Sequence, residues 1–121
     1  GDKTVVYVSD HEPFYRLKGN EPTLEDRRIV EFARGADLFI CEAQYTEEEY
    51  TRKRGWGHGT TEDALRTAAQ AAVRQLAIFH HDPSHDDEFL DRMIEQCQQS
   101  VRASNYSFAC FGAKEGEVVE I

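Results

Sequence analysis

Three short apolar runs, separated by longer stretches of helical periodicity, narrow the fold more than any other feature of this chain. They are residues 4–8 (TVVYV), 38–41 (LFIC) and 76–79 (LAIF). Runs of four or five residues rich in β-branched and aromatic side chains have the length of buried strands and are too short for core helices. Strands that alternate with helices are joined by crossovers, and crossovers build mainly parallel sheets. The expectation is an α/β domain. A fourth run, residues 106–111, reads as another strand, and Gly116 marks a turn before a last apolar run at 118–121.

The intervening stretches carry helix signals. Thr23, with Asp26 three residues on, resembles a capping box and opens a helix whose face is Leu24, Ile29, Phe32 and Ala33; Gly35 ends it. Residues 45–54 (YTEEEYTRKR) predict a short polar surface helix capped by Thr46, acids first and bases last as the helix dipole prefers. Thr60 or Thr61 caps a helix reaching Arg74, with Ala64, Leu65, Ala68, Ala71, Ala72 and Leu76 on one face. Those small residues suit tight packing on a sheet. Pro83 stops the chain after the third strand. Ser84 can then cap a helix over 85–103 with Phe89, Leu90, Met93, Ile94 and Cys97 inward.

A length of 121 residues suits one domain spanning 1–121 around one core. Against 23 acids stand 14 bases, a net charge of -9. That excludes wrapping nucleic acid on its own, which needs a basic surface, and fits a cation or a small molecule better. Cys41, Cys97 and Cys110 are odd in number and widely spaced, so neither a zinc ribbon nor a disulfide framework is expected. They read as reduced core thiols in a cytoplasmic setting. No apolar run approaches the ~20 residues of a membrane span. The start, Gly-Asp-Lys-Thr, has no Met and leads at once into a strand, which predicts a cut chain.

The chemistry-bearing residues gather where strands end. Asp10 and His11 follow the first strand, Glu42 the second, and His80 the third. Four of the five histidines fall between Gly55 and Asp87: His58, His80, His81 and His85. In a parallel sheet the carboxyl ends share one rim, so Asp10, Glu42 and His80 are placed to converge. Aspartate and histidine are natural ligands for zinc, manganese or iron. Two ligands make only part of a metal site. Each residue also has a plain structural reading: Asp10 as a loop cap, His80 as a hydrogen-bonded core histidine, Glu42 as the partner of a nearby base. His81 and His85 read as solvated or supporting rather than as ligands, Trp56 as packing, and Asp86 and Asp87 as acids at a helix start.

Four motifs in order then carry a resemblance: SDHEP after a strand, ADLFICEAQYT, GWGHGTTEDALRTA and LAIFHHDPSHDD. Together they resemble the C-terminal half of a metallo-β-lactamase-fold hydrolase. The nearest branch is the phosphodiesterase-like one, which includes the tRNA 3′-processing endonucleases and the cyclic-nucleotide phosphodiesterases. The ending, FACFGAKEGEVVEI, is similar to that fold's closing hairpin. The resemblance implies half of a four-layer αβ/βα sandwich, with a mixed sheet flanked by helices. It implies a hydrolase of phosphodiesters or related esters that uses a water activated by two divalent metal ions, zinc by expectation, with manganese or iron as the other choices. Asp10 matches the aspartate that bridges the two metals, and His80 the last histidine ligand. His58 matches the histidine that donates a proton to the leaving oxygen, and Glu42 the acid that orients it.

The chain departs from that pattern in three places. Cys41 stands where the family's His-Glu-Ala-Thr motif begins. His81-Asp82-Pro83 replaces the Ser-x-Arg-Tyr of the tRNA enzymes. The family's His-x-His-x-Asp-His motif, which lies in its N-terminal half, is absent. This chain is therefore expected to hold part of a site and to be inactive alone, needing the missing half or a second chain. A homo-oligomer formed through the exposed half-fold face is expected. The alternative reading is a non-catalytic α/β binding domain or a receiver-like signalling domain.

Overall fold

The computed structural model describes residues 2–8, 24–43, 45, 47–53, 59–79 and 85–113. Within them lie strands β1 (Val5–Val8), β2 (Leu38–Glu42), β3 (Gln75–Phe79) and β4 (Ala109–Gly112). Helices are α1 (Leu24–Ala33), α2 (Glu47–Lys53), α3 (Thr61–Ala71) and α4 (Asp87–Ala103). The strands form one sheet in the order β1-β2-β3-β4, and every pairing among the described residues is parallel. This is the expected α/β arrangement. The second arm of the closing hairpin, which would make the sheet mixed, lies outside the described residues, as do Thr23, Thr46 and Trp56. Among the described residues no helix is long and apolar enough to cross a membrane.

The strand order explains the layering. A right-handed crossover to the next strand in the same direction always lays its helix on the same face. With order 1-2-3-4 there is no reversal, so α1, α3 and α4 share one side. Their buried residues Ala33, Ala64, Leu65, Ala68, Cys97 and Val101 form one cluster with the sheet. The sheet contributes Val6, Phe39, Leu76 and Cys110 from one row and Val8, Cys41 and Ile78 from the next. A receiver-like order of 2-1-3-4-5 would put β1 beside β3. Here β1 pairs with β2 and β2 with β3, which overturns the receiver alternative.

Several boundaries differ from the sequence expectation, each for a local reason. On α1, Asp26, Ile29, Val30 and Ala33 make the i, i+3, i+4, i+7 stripe that faces the core. Phe32 falls outside that stripe and is 68% exposed, so it is not a core residue. Gly35, at φ +69, takes the left-handed turn that ends α1, and its N–H donates to the Ala71 carbonyl at 2.8 Å. Helix α3 stops at Ala71 rather than Arg74 because Ala72 itself is left-handed, at φ 53. Only glycine signals such a cap clearly, so an alanine there is invisible beforehand.

Helix α4 begins two residues later than expected. Asp86, not Ser84, is its cap, its side chain accepting from Phe89 N at 2.8 Å. Strand β4 starts at Ala109 rather than Tyr106. Asn105 at φ 57 and the Tyr106 N–H to Val101 O bond of 3.0 Å still belong to the turn that closes α4. Helix α2 is not wholly a surface element, since Tyr50 is 5% exposed.

Candidate functional site

The carboxyl ends of β1, β2 and β3 line up. Val8 pairs with Cys41, and Glu42 pairs with Phe79. The carboxyl ends of the three strands, at Val8, Glu42 and Phe79, therefore share one rim. Glu42 is the last residue of β2 and is buried at 5% exposure. The next N–H, from Ala43, donates to the Phe79 carbonyl at 3.2 Å and extends the pairing past the strand.

A second tie brings Gly59 and Thr60 to the chain that leaves β2. Tyr45, 1% exposed, forms an isolated parallel bridge with Thr60. Its N–H donates to Gly59 O at 3.3 Å, and its carbonyl accepts from Thr61 N at 3.1 Å. Gly59, the residue after His58, is thus hydrogen-bonded to a residue three positions beyond Glu42. Thr60 then caps α3 in a full capping box. Its hydroxyl accepts from Asp63 N, and the Asp63 carboxylate accepts from Thr60 N, both at 3.1 Å. Thr60 is fully buried and Asp63 is 5% exposed. Asp63 escaped the sequence reading, although its place three residues after a capping threonine was a usable signal.

Cys41 shows the electrostatics of this corner. Burial pushes its thiol up to about 12, and the nearby Glu42 and Asp63 carboxylates push in the same direction. The thiol is therefore neutral; its Sγ donates to the Glu42 carbonyl at 3.4 Å. Where the family motif has a histidine, this chain has a neutral core group. Cys97 and Cys110 are also buried and free, as expected of reduced core thiols. A hydrogen bond donated to Cys97, together with burial, holds the Cys110 thiol above its ordinary range.

Of the residues proposed from sequence, Glu42 is placed by the structure. Asp10, His58 and His80 lie outside the described residues, as do His11 and His81. Among the described residues no group of three histidine, cysteine, aspartate or glutamate side chains is arranged to hold a metal. His85 turns out to be neither solvated nor a surface group. Its side chain is 5% exposed, its Nε2 lies 2.6 Å from Glu49 Oε2, and its ring stacks on Phe89 at 3.9 Å.

No protein-family profile matches the chain. It is similar to several curated proteins named ribonuclease Z. That of Ignicoccus hospitalis is 40% identical over 95 residues, 78% of this chain and 27% of that protein. That of Haloferax volcanii is 30% identical over 125 residues, 98% of this chain and 32% of that protein. That of Brevibacillus brevis is 29% identical over 89 residues, covering 74% and 28%. The chain thus spans about a quarter to a third of the length of these relatives. With the parallel α/β half-sandwich, these likenesses bear out the resemblance carried by the motifs: the chain matches, in sequence and in fold, a part of the metallo-β-lactamase-fold ribonuclease Z proteins.

Proposed function

We propose that this chain supplies part of the active site of a metal-dependent phosphodiester hydrolase, with RNA as the substrate class. The observation that carries the reading is the rim. The strand ends before Asp10, at Glu42 and before His80 are in register, and the Tyr45–Thr60 bridge brings in the chain next to His58. The name of the relatives supports RNA. The net charge of -9 assigns the basic RNA-binding surface to another part of the parent protein or assembly.

The donor chemistry fits a divalent metal in part. A carboxylate from Asp10 and an imidazole from His80 suit zinc, with manganese or iron as alternatives. Two donors are fewer than the three of a catalytic zinc site. The remaining ligands come from the rest of the fold, in the same polypeptide or in a second chain. When bound, a pair of such ions lowers the pKa of a water and neutralises charge on the phosphoryl oxygens. The chain's own residues then have separate tasks. Asp10 and His80 hold the metals. His58 donates a proton to the departing oxygen, and the Glu42 carboxylate orients its imidazole. Glu42 is suited to this because it is buried on a strand and so presents one fixed position. The sheet face bearing Val5 and Tyr7, 50% and 56% exposed, is where the other layer of the sandwich or a second copy packs. A cytoplasmic setting completes the reading, supported by three free thiols.

Elemental analysis of the purified parent protein tests this reading. We expect zinc, manganese or iron near stoichiometry, largely lost in the Asp10→Ala, His80→Ala double variant. His58→Ala should keep its metal yet cleave RNA phosphodiesters on the order of 100-fold more slowly. Metal retained in full by the double variant would refute the ligand assignment.

A further inference from the structure

The contact between Glu49 and His85 joins two segments 36 residues apart, and the site described above makes no use of it. Glu49 lies on α2, in the chain that leaves β2. His85 precedes the cap of α4, in the chain that leaves β3. Glu49 is seven residues past Glu42 and His85 six past Phe79, and Glu42 and Phe79 are register partners. The sheet thus pins one end of both segments, and the Glu49–His85 contact pins the other.

The contact is built to hold. A carboxylate only accepts, so His85 Nε2 donates the hydrogen to Glu49 Oε2 at 2.6 Å. A charge-assisted bond of that length between groups 22% and 5% exposed is shielded from water. Phe89, one turn into α4, stacks on the imidazole and fixes its plane. His85 therefore cannot swing out without giving up both contacts. Phe79 in the sheet and the bonded His85 thus bracket His80 in the sequence.

We propose that Glu49 and His85 are positioning residues: their hydrogen bond ties the chain after β2 to the chain after β3, and so sets the placement of His80 relative to Glu42. The proposal rests on the reading of function given above. Neither residue touches the reacting atoms in it. Their effect runs through the segment they restrain, as a hydrogen-bond partner beyond the ligands tunes a metal site.

The test uses the parent protein at its natural length, with an RNA phosphodiester substrate and metal analysis. His85→Ala, Glu49→Ala and the double variant should each lose kcat or metal occupancy on the order of 10–100-fold. KM should stay within about twofold, and the double variant should be no worse than either single one, because both remove the same bond. Glu49→Gln, which keeps an acceptor oxygen, should recover most of the loss, and it also serves if an alanine variant fails to fold. Full kcat and metal content in a folded His85→Ala protein, or losses that simply add in the double variant, would overturn the positioning role alone. A wild-type protein with neither metal nor phosphodiesterase activity would overturn the reading of function, and the positioning role with it.

Discussion

On the side facing the helices, Val6, Phe39 and Leu76 sit in one row and are at most 5% exposed. One residue along the same edge strand, on the other side of the same sheet, Val5 is 50% exposed and Tyr7 56%. Val5 and Val6 are the same residue type in consecutive positions. Their difference comes from the period of two along a strand and from the layering, which puts α1, α3 and α4 together on one side. The helix-facing side carries the stability of this unit. The opposite side keeps apolar groups such as Val5, Tyr7, Ile40 and Phe79 that the described helices do not cover, with Tyr7 stacked on Phe79 at 5.3 Å as a partial substitute. The rim where strands end joins the two sides, and Glu42 is there.

The largest expected effect separates the two sides directly. Phe39→Ala removes a fully buried ring and should cost about 3–5 kcal/mol in denaturant unfolding. Tyr7→Ala removes an exposed ring that keeps one stacking contact, and should cost no more than about 1.5 kcal/mol. Both costs refer to the 121-residue chain by itself, and equal costs there would erase the distinction and mean that a second copy covers Tyr7.

A smaller effect probes how tightly the helix side is packed. A Cβ on Gly112 would meet Ile94 Cγ1 at 3.1 Å, which is tight. Ile94 is only half-buried, however, and lines a cavity of about 350 Å³ with Ile78, Leu90 and Met93, so it has room to move. Gly112→Ala should therefore stay within about 1 kcal/mol of wild type, the strain offset by the lower chain entropy of alanine. A loss of more than about 2 kcal/mol would show that α4 is locked on β4 without slack.

The effect that vanishes near neutral pH concerns the Cys41 thiol. Cys41 has its thiol held at about 12 against an ordinary 9.0, so the unfolded chain releases this proton first as pH rises. Below about pH 8 the thiol is neutral in both states and contributes no pH dependence. From about pH 9 toward 12 the unfolded state gains and stability falls. Cys41→Ala should flatten that alkaline limb and leave stability near neutral pH dependent only on packing. Rapid alkylation of Cys41 in the native protein at pH 8 would contradict its burial beside Glu42 and Asp63.

The parts of this protein legible in its sequence are those set by neighbours along the chain. The runs at 38–41 and 76–79 are strands because a short apolar stretch must be buried on both faces or paired at once. Thr60 caps a helix because its hydroxyl reaches an amide three residues on. Glu42 stood out because it ends a strand, and the ordered motifs then carried the resemblance. Phe32, the end of α3 at Ala72 and the start of α4 at Asp86 were misread where two local solutions of similar energy compete and packing chooses between them.

What only the tertiary structure decided is what depends on strand order and on groups far apart in sequence. Sequence alone leaves open whether β1 lies beside β2 or between β2 and β3. That one choice determines that all three crossover helices share a side and that Val5 and Tyr7 face away from them. It also brings Glu49 within 2.6 Å of His85 across 36 residues, turning a histidine with no local signal into a buried tie between two loops. Local patterns are set by interactions within a few residues. Register and layer order are set by the burial of the whole sheet.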